Sequence, residues 1–296
     1  MLRLGAHESV AGGLYRAFER AEGVGCEAVQ IWVKNNRQWA GPPLLEEDIE
    51  QFRQARQATG LRPVVAHAAY LINVASPDPA LRARSVRALI DEVERCERLA
   101  LPSLVLHPGA HTGGGVETGL ENIAASLSEV HAATPGYRVQ ILLETTAGQG
   151  TVLGSTFEQL ARLLEETTRG ERLGVCLDTC HVFTAGYELR TPEGYAATLE
   201  AFDASVGLER LKVLHLNDSR ETFGSRKDRH AHIGEGALGL EPFRQLLNDP
   251  RLEGLPGLLE TPKDKALDYD RENLATLRSL VKDEGSTSNP TLSYQM

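Results

Sequence analysis

The sequence has no stretch of about 18 apolar residues, the minimum for a membrane-crossing helix. Its opening, MLRLGAHESV, shows no basic segment leading into an apolar one. Neither a membrane span nor a secretory leader is therefore expected. Cysteine is sparse: Cys26, Cys96, Cys176 and Cys180 are too few and too unevenly placed to staple a chain of 296 residues. They read as reduced thiols of a cytoplasmic protein. Positive charge is also short. With 31 Lys and Arg against 41 Asp and Glu, the formal charge is −10. Alone, this speaks against a general nucleic-acid binder, because phosphate neutralisation needs an excess of basic residues. No coiled-coil seam or long apolar helix face asks for a partner, so a monomer is expected.

What the sequence does have is alternation. Short apolar, β-branched runs occur at 3–7, 27–33, 63–67, 103–107, 139–144, 173–178, 212–216 and 257–260. Segments of helical periodicity follow them at 13–22, 46–59, 79–100, 120–133, 157–168, 192–206, 241–248 and 271–282. Strands separated by helices must run parallel, with right-handed crossovers. Eight such units in a chain of this length predict a single (β/α)8 TIM barrel over residues 1–282, with its active site at the C-terminal ends of the strands. An open doubly wound sheet is the alternative, but GAHESVAGG after the first strand has its glycines at the wrong spacing for a dinucleotide loop. Residues 283–296 are polar and aperiodic and read as a loose tail.

The last residues of the expected strands carry the chemistry. His7, His67, His107, Glu144, Asp178, His215 and Glu260 all stand at or beside a strand's C-terminal end, so seven of eight strands deliver a metal-ligand type to one rim. A lone histidine at such a place is more often a hydrogen-bonded structural group. Seven imidazoles and carboxylates together would repel or go unsatisfied without cations between them. Two loops add to the set. CLDTCHVFTAGY puts Asp178 and His181 three residues apart, and HLNDSRETFGSRKDRHAHIGEG carries Asp228, His230 and His232. Extended backbone would present two of these on one side, without choosing between His230 and His232. Imidazole mixed with carboxylate suits zinc, with manganese or iron as alternatives. The C-x3-C of Cys176 and Cys180 is a rival motif, but Cys176 lies inside a strand and no second pair exists. The donors exceed what one metal needs, so two or three ions are implied, a grouping that serves phosphoryl chemistry.

Long segments of this chain resemble the endonuclease IV family of abasic-site endonucleases. They are GAHESVAGG, KNNRQW, HAAYLIN, LHPGAH, LETTAGQG, GVCLDTCHVFTAGYELRTP, HLNDSRETFGSRKDRHAHIGEG and LLETPKD, spanning nearly the whole sequence. The resemblance implies three zinc ions. His67, His107 and the bridging Glu144 match the family's ligands for the first, and Glu144, Asp178, His215 and Glu260 those for the second. His181, Asp228 and His230 match those for the third, which selects His230 over His232 and leaves His7 a neighbour of the cluster. Glu144 and Glu260 are then the catalytic carboxylates. The implied reaction is hydrolysis of the phosphodiester 5′ to an abasic site in double-stranded DNA, leaving a 3′-hydroxyl and a 5′-deoxyribose phosphate. Removal of 3′-blocking groups is expected beside it, in the cytoplasm and at the nucleoid of a bacterial cell. Arg37 and Gln38 in KNNRQW, and Tyr70 with Leu71 in HAAYLIN, resemble the family's groove-inserting residues.

Two other readings stand beside this one. A metal-dependent sugar isomerase or epimerase uses the same barrel with fewer ions and a closed pocket; a DNA-damage binding protein would have lost catalysis, against a ligand set that is filled at every position. His131 is expected on a solvated helix face, and His111 in a structural or ligand-supporting role.

Overall fold

All eight expected strands form, and they close on themselves. In chain order they are β1 (Arg3–His7), β2 (Ala28–Ile31), β3 (Val64–His67), β4 (Ser103–Leu106), β5 (Gln140–Glu144), β6 (Leu173–Asp178), β7 (Leu211–His215) and, last, β10 (Pro256–Leu259). Every barrel pair is parallel, and β1 closes the ring by pairing with both β2 and β10. The structure is a computed structural model describing residues 1–282, and the expected tail at 283–296 lies outside the described residues. Two further short strands, β8 (Asp218–Ser219) and β9 (His230–Ala231), form an antiparallel pair within the long loop after β7. No periodicity in the loop foreshadows them.

The helices between strands are α1 (Arg16–Gly23), α2 (Glu46–Thr59), α3 (Pro79–Arg98), α4 (Val116–Ala133), α5 (Phe157–Glu166), α6 (Thr179–Ala185), α7 (Pro192–Ser205), α8 (Glu241–Leu247) and α9 (Asp268–Ser279). Their starts follow local chemistry. Asp78 caps α3 by accepting from the backbone N–H groups of Ala80 and Leu81, with Pro79 at the first helical position; such a cap contributes about 1 kcal/mol. Thr191 and Pro192 begin α7 in the same way. The unexpected α6 is capped by Asp178 itself, which accepts from the N–H of His181. Among the described residues no helix is long and apolar enough to cross a membrane.

Two cores result. The larger lies between barrel and helices and holds Phe18, Phe52, Phe157, Phe202 and Phe243. The smaller fills the barrel: Ala28, Val65, Val105, Leu142, Cys176, Val213 and Leu258, one from each strand except β1. Gly5 takes that place on β1, where an added Cβ would lie 1.9 Å from the Ala28 carbonyl oxygen, so no side chain fits. All four cysteines are buried and free. His131 departs from expectation: it is buried, donating from Nδ1 to the Thr168 carbonyl, because α4 turns that face onto the segment after α5 instead of toward water.

Candidate metal centre

Strand side chains alternate between faces, so the residue two beyond an inward one is also inward. Two positions past Val65, Val105, Leu142, Cys176, Val213 and Leu258 stand His67, His107, Glu144, Asp178, His215 and Glu260. The apolar layer is thus the floor of the site, and one more step along each strand supplies the wall. The same step from Gly5 gives His7 and from Ala28 gives Gln30. β2, the strand without an ionisable candidate, therefore contributes a carboxamide at the matching place.

Glu144, wholly buried, is the hub. Its Oε2 lies 2.8 Å from His107 Nε2 and 3.2 Å from His67 Nε2. Its Oε1 lies 2.9 Å from His215 Nδ1. Glu260 Oε2 is 3.3 Å and Asp178 Oδ2 3.8 Å from that same nitrogen. Around the rim, Asp228 spans two imidazoles, with Oδ2 at 3.1 Å from His181 Nε2 and Oδ1 at 3.2 Å from His230 Nε2. Potential ligand atoms fall within 4.8 Å of one another in His67, His107 and Glu144; in Glu144, Asp178, His215 and Glu260; and in Asp178, His181 and His230. The third set differs from the expected one in carrying Asp178, with Asp228 in contact with its two histidines.

Four of the five imidazoles have one nitrogen already committed. Nδ1 donates to a backbone carbonyl in His67 (Ala68, 2.8 Å), His181 (Thr145, 2.8 Å) and His230 (Glu260, 3.0 Å). In His215 the order is reversed: Nε2 donates to Gln30 Oε1 at 2.9 Å. A neutral imidazole carries one proton, so in each case the other nitrogen turns a lone pair toward the cluster. The Nε2 atoms of His181 and His230 are buried and face the Asp228 carboxylate at 3.1 and 3.2 Å without hydrogen-bond geometry to it. Among the described residues no Lys or Arg pairs with the Glu144, Asp178, Asp228 or Glu260 carboxylates. Lone pairs and carboxylates converging without a fixed cation are the donor set of divalent metal ions, and the residues fit such a group.

Protonation carries the same message. Burial opposes charge on His230, but Asp178 and Asp228 outweigh it and raise its pKa to about 9. His67, His107, His181 and His215 are raised too, against burial, by the neighbouring carboxylates. Without metal, protons must supply the cationic charge. Burial pushes the Cys180 thiol up to about 12, which disfavours it as a donor although it lies near Asp228 and His230.

Other candidates separate cleanly. His7 touches Glu260 Oε1 at 3.3 Å, and burial lowers its pKa to about 4, leaving it a neutral neighbour. His232 turns away, accepting from Asn273 Nδ2 and packing on Tyr269. His111 holds its own loop by accepting at Nδ1 from the N–H groups of Gly113 and Gly115, with no contact to a ligand. Tyr70 is exposed at the mouth and Leu71 beside it in sequence, and Arg37 and Gln38 are exposed on the β2–α2 loop. A cavity of about 480 Å³ opens there between Tyr70, His107, Asp228 and Glu260.

Sequence reasoning missed three polar contributors. Gln30 Nε2 donates to Glu260 Oε1 at 2.7 Å while its Oε1 holds His215. Asn217 donates to Asp178 Oδ2 at 2.6 Å and accepts from the Glu260 N–H, joining two ligand strands. Arg220 lines the cavity with Arg229. Counting only ionisable residues hid the first two, although the two-residue alternation would have marked Gln30.

The description "xylose isomerase-like TIM barrel" matches residues 18–280. A probable endonuclease 4 of Chloroflexus aurantiacus is 53% identical over 282 residues, covering 95% of this chain and 99% of that one. The crystal structure of endonuclease IV from Thermus thermophilus superposes with a TM-score of 0.82 at 38% identity, covering 94% of this chain and 98% of the other. A D-tagatose 3-epimerase-like protein, at 21% identity and a TM-score of 0.71 over 94% and 98% of the two chains, shares the fold alone.

Proposed function

The chain belongs to the endonuclease IV family of xylose isomerase-like barrels, and from that premise we propose that it is a zinc-dependent endonuclease of base-excision repair acting on double-stranded DNA that contains abasic sites. It hydrolyses the phosphodiester on the 5′ side of the site, giving a 3′-hydroxyl and a 5′-deoxyribose phosphate. Removal of 3′-blocking groups is assigned to the same centre. The observation that carries this reading is the set of buried carboxylates facing inward-turned imidazole lone pairs, with no Lys or Arg paired to them among the described residues.

Three ions suit that donor set. His67, His107 and Glu144 would hold one; Glu144, Asp178, His215 and Glu260 the second; His181, Asp228 and His230 the third. Zinc suits these ligands, with manganese or iron as substitutes. Bound there, such ions supply the positive charge that an attacked phosphate and its departing oxygen require.

The chain's own groups do the rest. Glu144 fixes the relative positions of His67, His107 and His215. Glu260 lines the cavity beside His215, so its carboxylate can orient the attacking water. Arg220 and Arg229, which line the cavity, would meet the flanking phosphates. Arg37, Gln38, Tyr70 and Leu71 enter the groove. An abasic nucleotide has no base to stack or pair, so extruding it costs less than extruding an intact one, and that difference selects the site. The ions would offset more than half of the −10 charge, all of it at the mouth, next to exposed Arg220, Arg226, Lys227 and Arg229. The protein works as a monomer in the cytoplasm, at the nucleoid of a bacterial cell.

The test is an end-labelled duplex with one abasic site, incubated before and after exhaustive chelation. One cut 5′ to the site with a 3′-hydroxyl is expected, lost on chelation and restored by zinc. Cutting on the 3′ side, or undiminished cutting by metal-free protein, overturns the reading.

A further inference from the structure

A second buried charge cluster lies outside the metal centre, beneath the two exposed loops of the rim. Lys34 and Glu92 are each 1% exposed at the side chain and meet at 3.3 Å. Lys34 Nζ also donates to Asp91 Oδ2 at 2.9 Å and to the carbonyls of Trp39 and Ala88. The Glu92 carboxylate accepts from the backbone N–H of Ala69, at 3.2 Å to Oε2 and 3.4 Å to Oε1. Lys34 is the residue before Asn35–Arg37, and Ala69 the residue before Tyr70. On the far side of the first loop, Arg95 Nη2 donates to the Pro42 carbonyl at 2.6 Å and its Nε to Asp91. One helix, α3, therefore grips both ends of the 34–42 loop and the base of the 68–73 loop through one set of buried charges.

We propose that Glu92, together with Lys34, is a positioning residue that makes these two loops a single mechanical unit, on which discrimination between abasic and intact duplex depends. A carboxylate shared between an ammonium of one loop and an N–H of the other strands a buried charge if either loop departs alone. The two therefore keep their relative spacing and move together or not at all. The specificity part rests on the groove-inserting role given above to Arg37 and Tyr70; the mechanical coupling does not.

Hydrogen exchange of the metal-loaded protein reads the coupling without DNA. Lys34→Met, at a residue whose hydrogen bonds and ion pairs reach none of 68–73 among the described residues, is expected to speed exchange there, Ala69 included. Glu92→Gln is expected to speed exchange in 34–42. Each change should be roughly tenfold or more, the effect of losing one charge-assisted hydrogen bond. Unchanged metal content and unchanged exchange in the rim loop at 220–229, which makes no hydrogen bond to α3, set this apart from general loosening. If a single variant fails to fold, the paired Lys34→Met, Glu92→Gln variant leaves neither charge unpaired and should loosen both loops. Effects of Lys34→Met confined to 34–42, effects of Glu92→Gln confined to 68–73, or wild-type exchange in the paired variant, overturn the coupling. For specificity, the ratio of affinities for a duplex with one tetrahydrofuran site and its intact counterpart should fall in Glu92→Gln while single-turnover cleavage of bound substrate stays unchanged. A retained ratio overturns that part. If Arg37→Ala and Tyr70→Ala themselves leave the ratio unchanged, the insertion reading fails and the specificity role with it, whereas exchange still decides the coupling.

Discussion

Two groups of buried charge sit within the same half of this barrel and are solved in opposite ways. Under the rim loops, Lys34 and Arg95 face Asp91 and Glu92, so the chain brings its own cations and the cluster is complete as folded. At the strand ends, Glu144, Asp178 and Glu260, joined by the half-exposed Asp228 of the loop after β7, face imidazoles and amides and, among the described residues, pair with no Lys or Arg. A third group, Glu8 and Asp270 around Lys263, lies between these cases, and burial pushes Glu8 up to about 7. The lesson is that burial of charge says little by itself. The ratio of fixed cations to carboxylates separates a clamp from a site that must take its cations from solution.

Four experiments break or sharpen that contrast, from the largest effect downward. Glu144→Ala should cut incision by roughly a thousandfold or more, equivalent to several kcal/mol of lost charge stabilisation. Single-turnover kinetics with metal analysis checks it, and near-normal cleavage at full metal content would refute the hub role. Lys34→Met leaves Glu92 buried with one partner gone and should destabilise the fold by about 3–5 kcal/mol in urea. Most of that should return in the Lys34→Met, Glu92→Gln pair, and no recovery would show that packing of the lysine stem, not charge, holds the clamp. Gln30→Leu frees His215 Nε2 and a Glu260 oxygen and should weaken zinc binding by about 10–100-fold, measured by competition with a chelator. Smallest is His131, whose buried imidazole has its pKa lowered by burial despite the Thr168 hydrogen bond. A depressed folded-state pKa means stability present above the unfolded value of 6.5 and lost as pH falls below it. His131→Gln should flatten that acid limb in thermal melts, and an unchanged slope would place the sensitivity elsewhere.

The fold was legible because two periods, two and about 3.6, repeat along the chain, and the ligand types fall where each period of two ends. Gln30 was hidden because a neutral amide is not an ionisable ligand type, although the alternation from Ala28 places it inward. The pair β8–β9 was hidden as well. The four backbone N–H groups gathered by Asp218, from Ser219, Gly234, Gly236 and Leu238, and backbone bonds such as Arg220 N–H to the Arg229 carbonyl give that loop its shape, and nothing in its composition announces them. His131 misled because its helix packs on a loop that periodicity cannot place.

The sequence by itself determined the parallel alternation, the inward register of each strand and the residue types that end them, because these depend on neighbours along the chain. Only the tertiary structure decided that His230 enters the cluster while His232 faces α9, which nitrogen of each imidazole is free, and that Lys34 and Glu92 meet. Those outcomes depend on which distant backbone carbonyl or carboxylate arrives within hydrogen-bond reach, and closure of the barrel alone sets that distance.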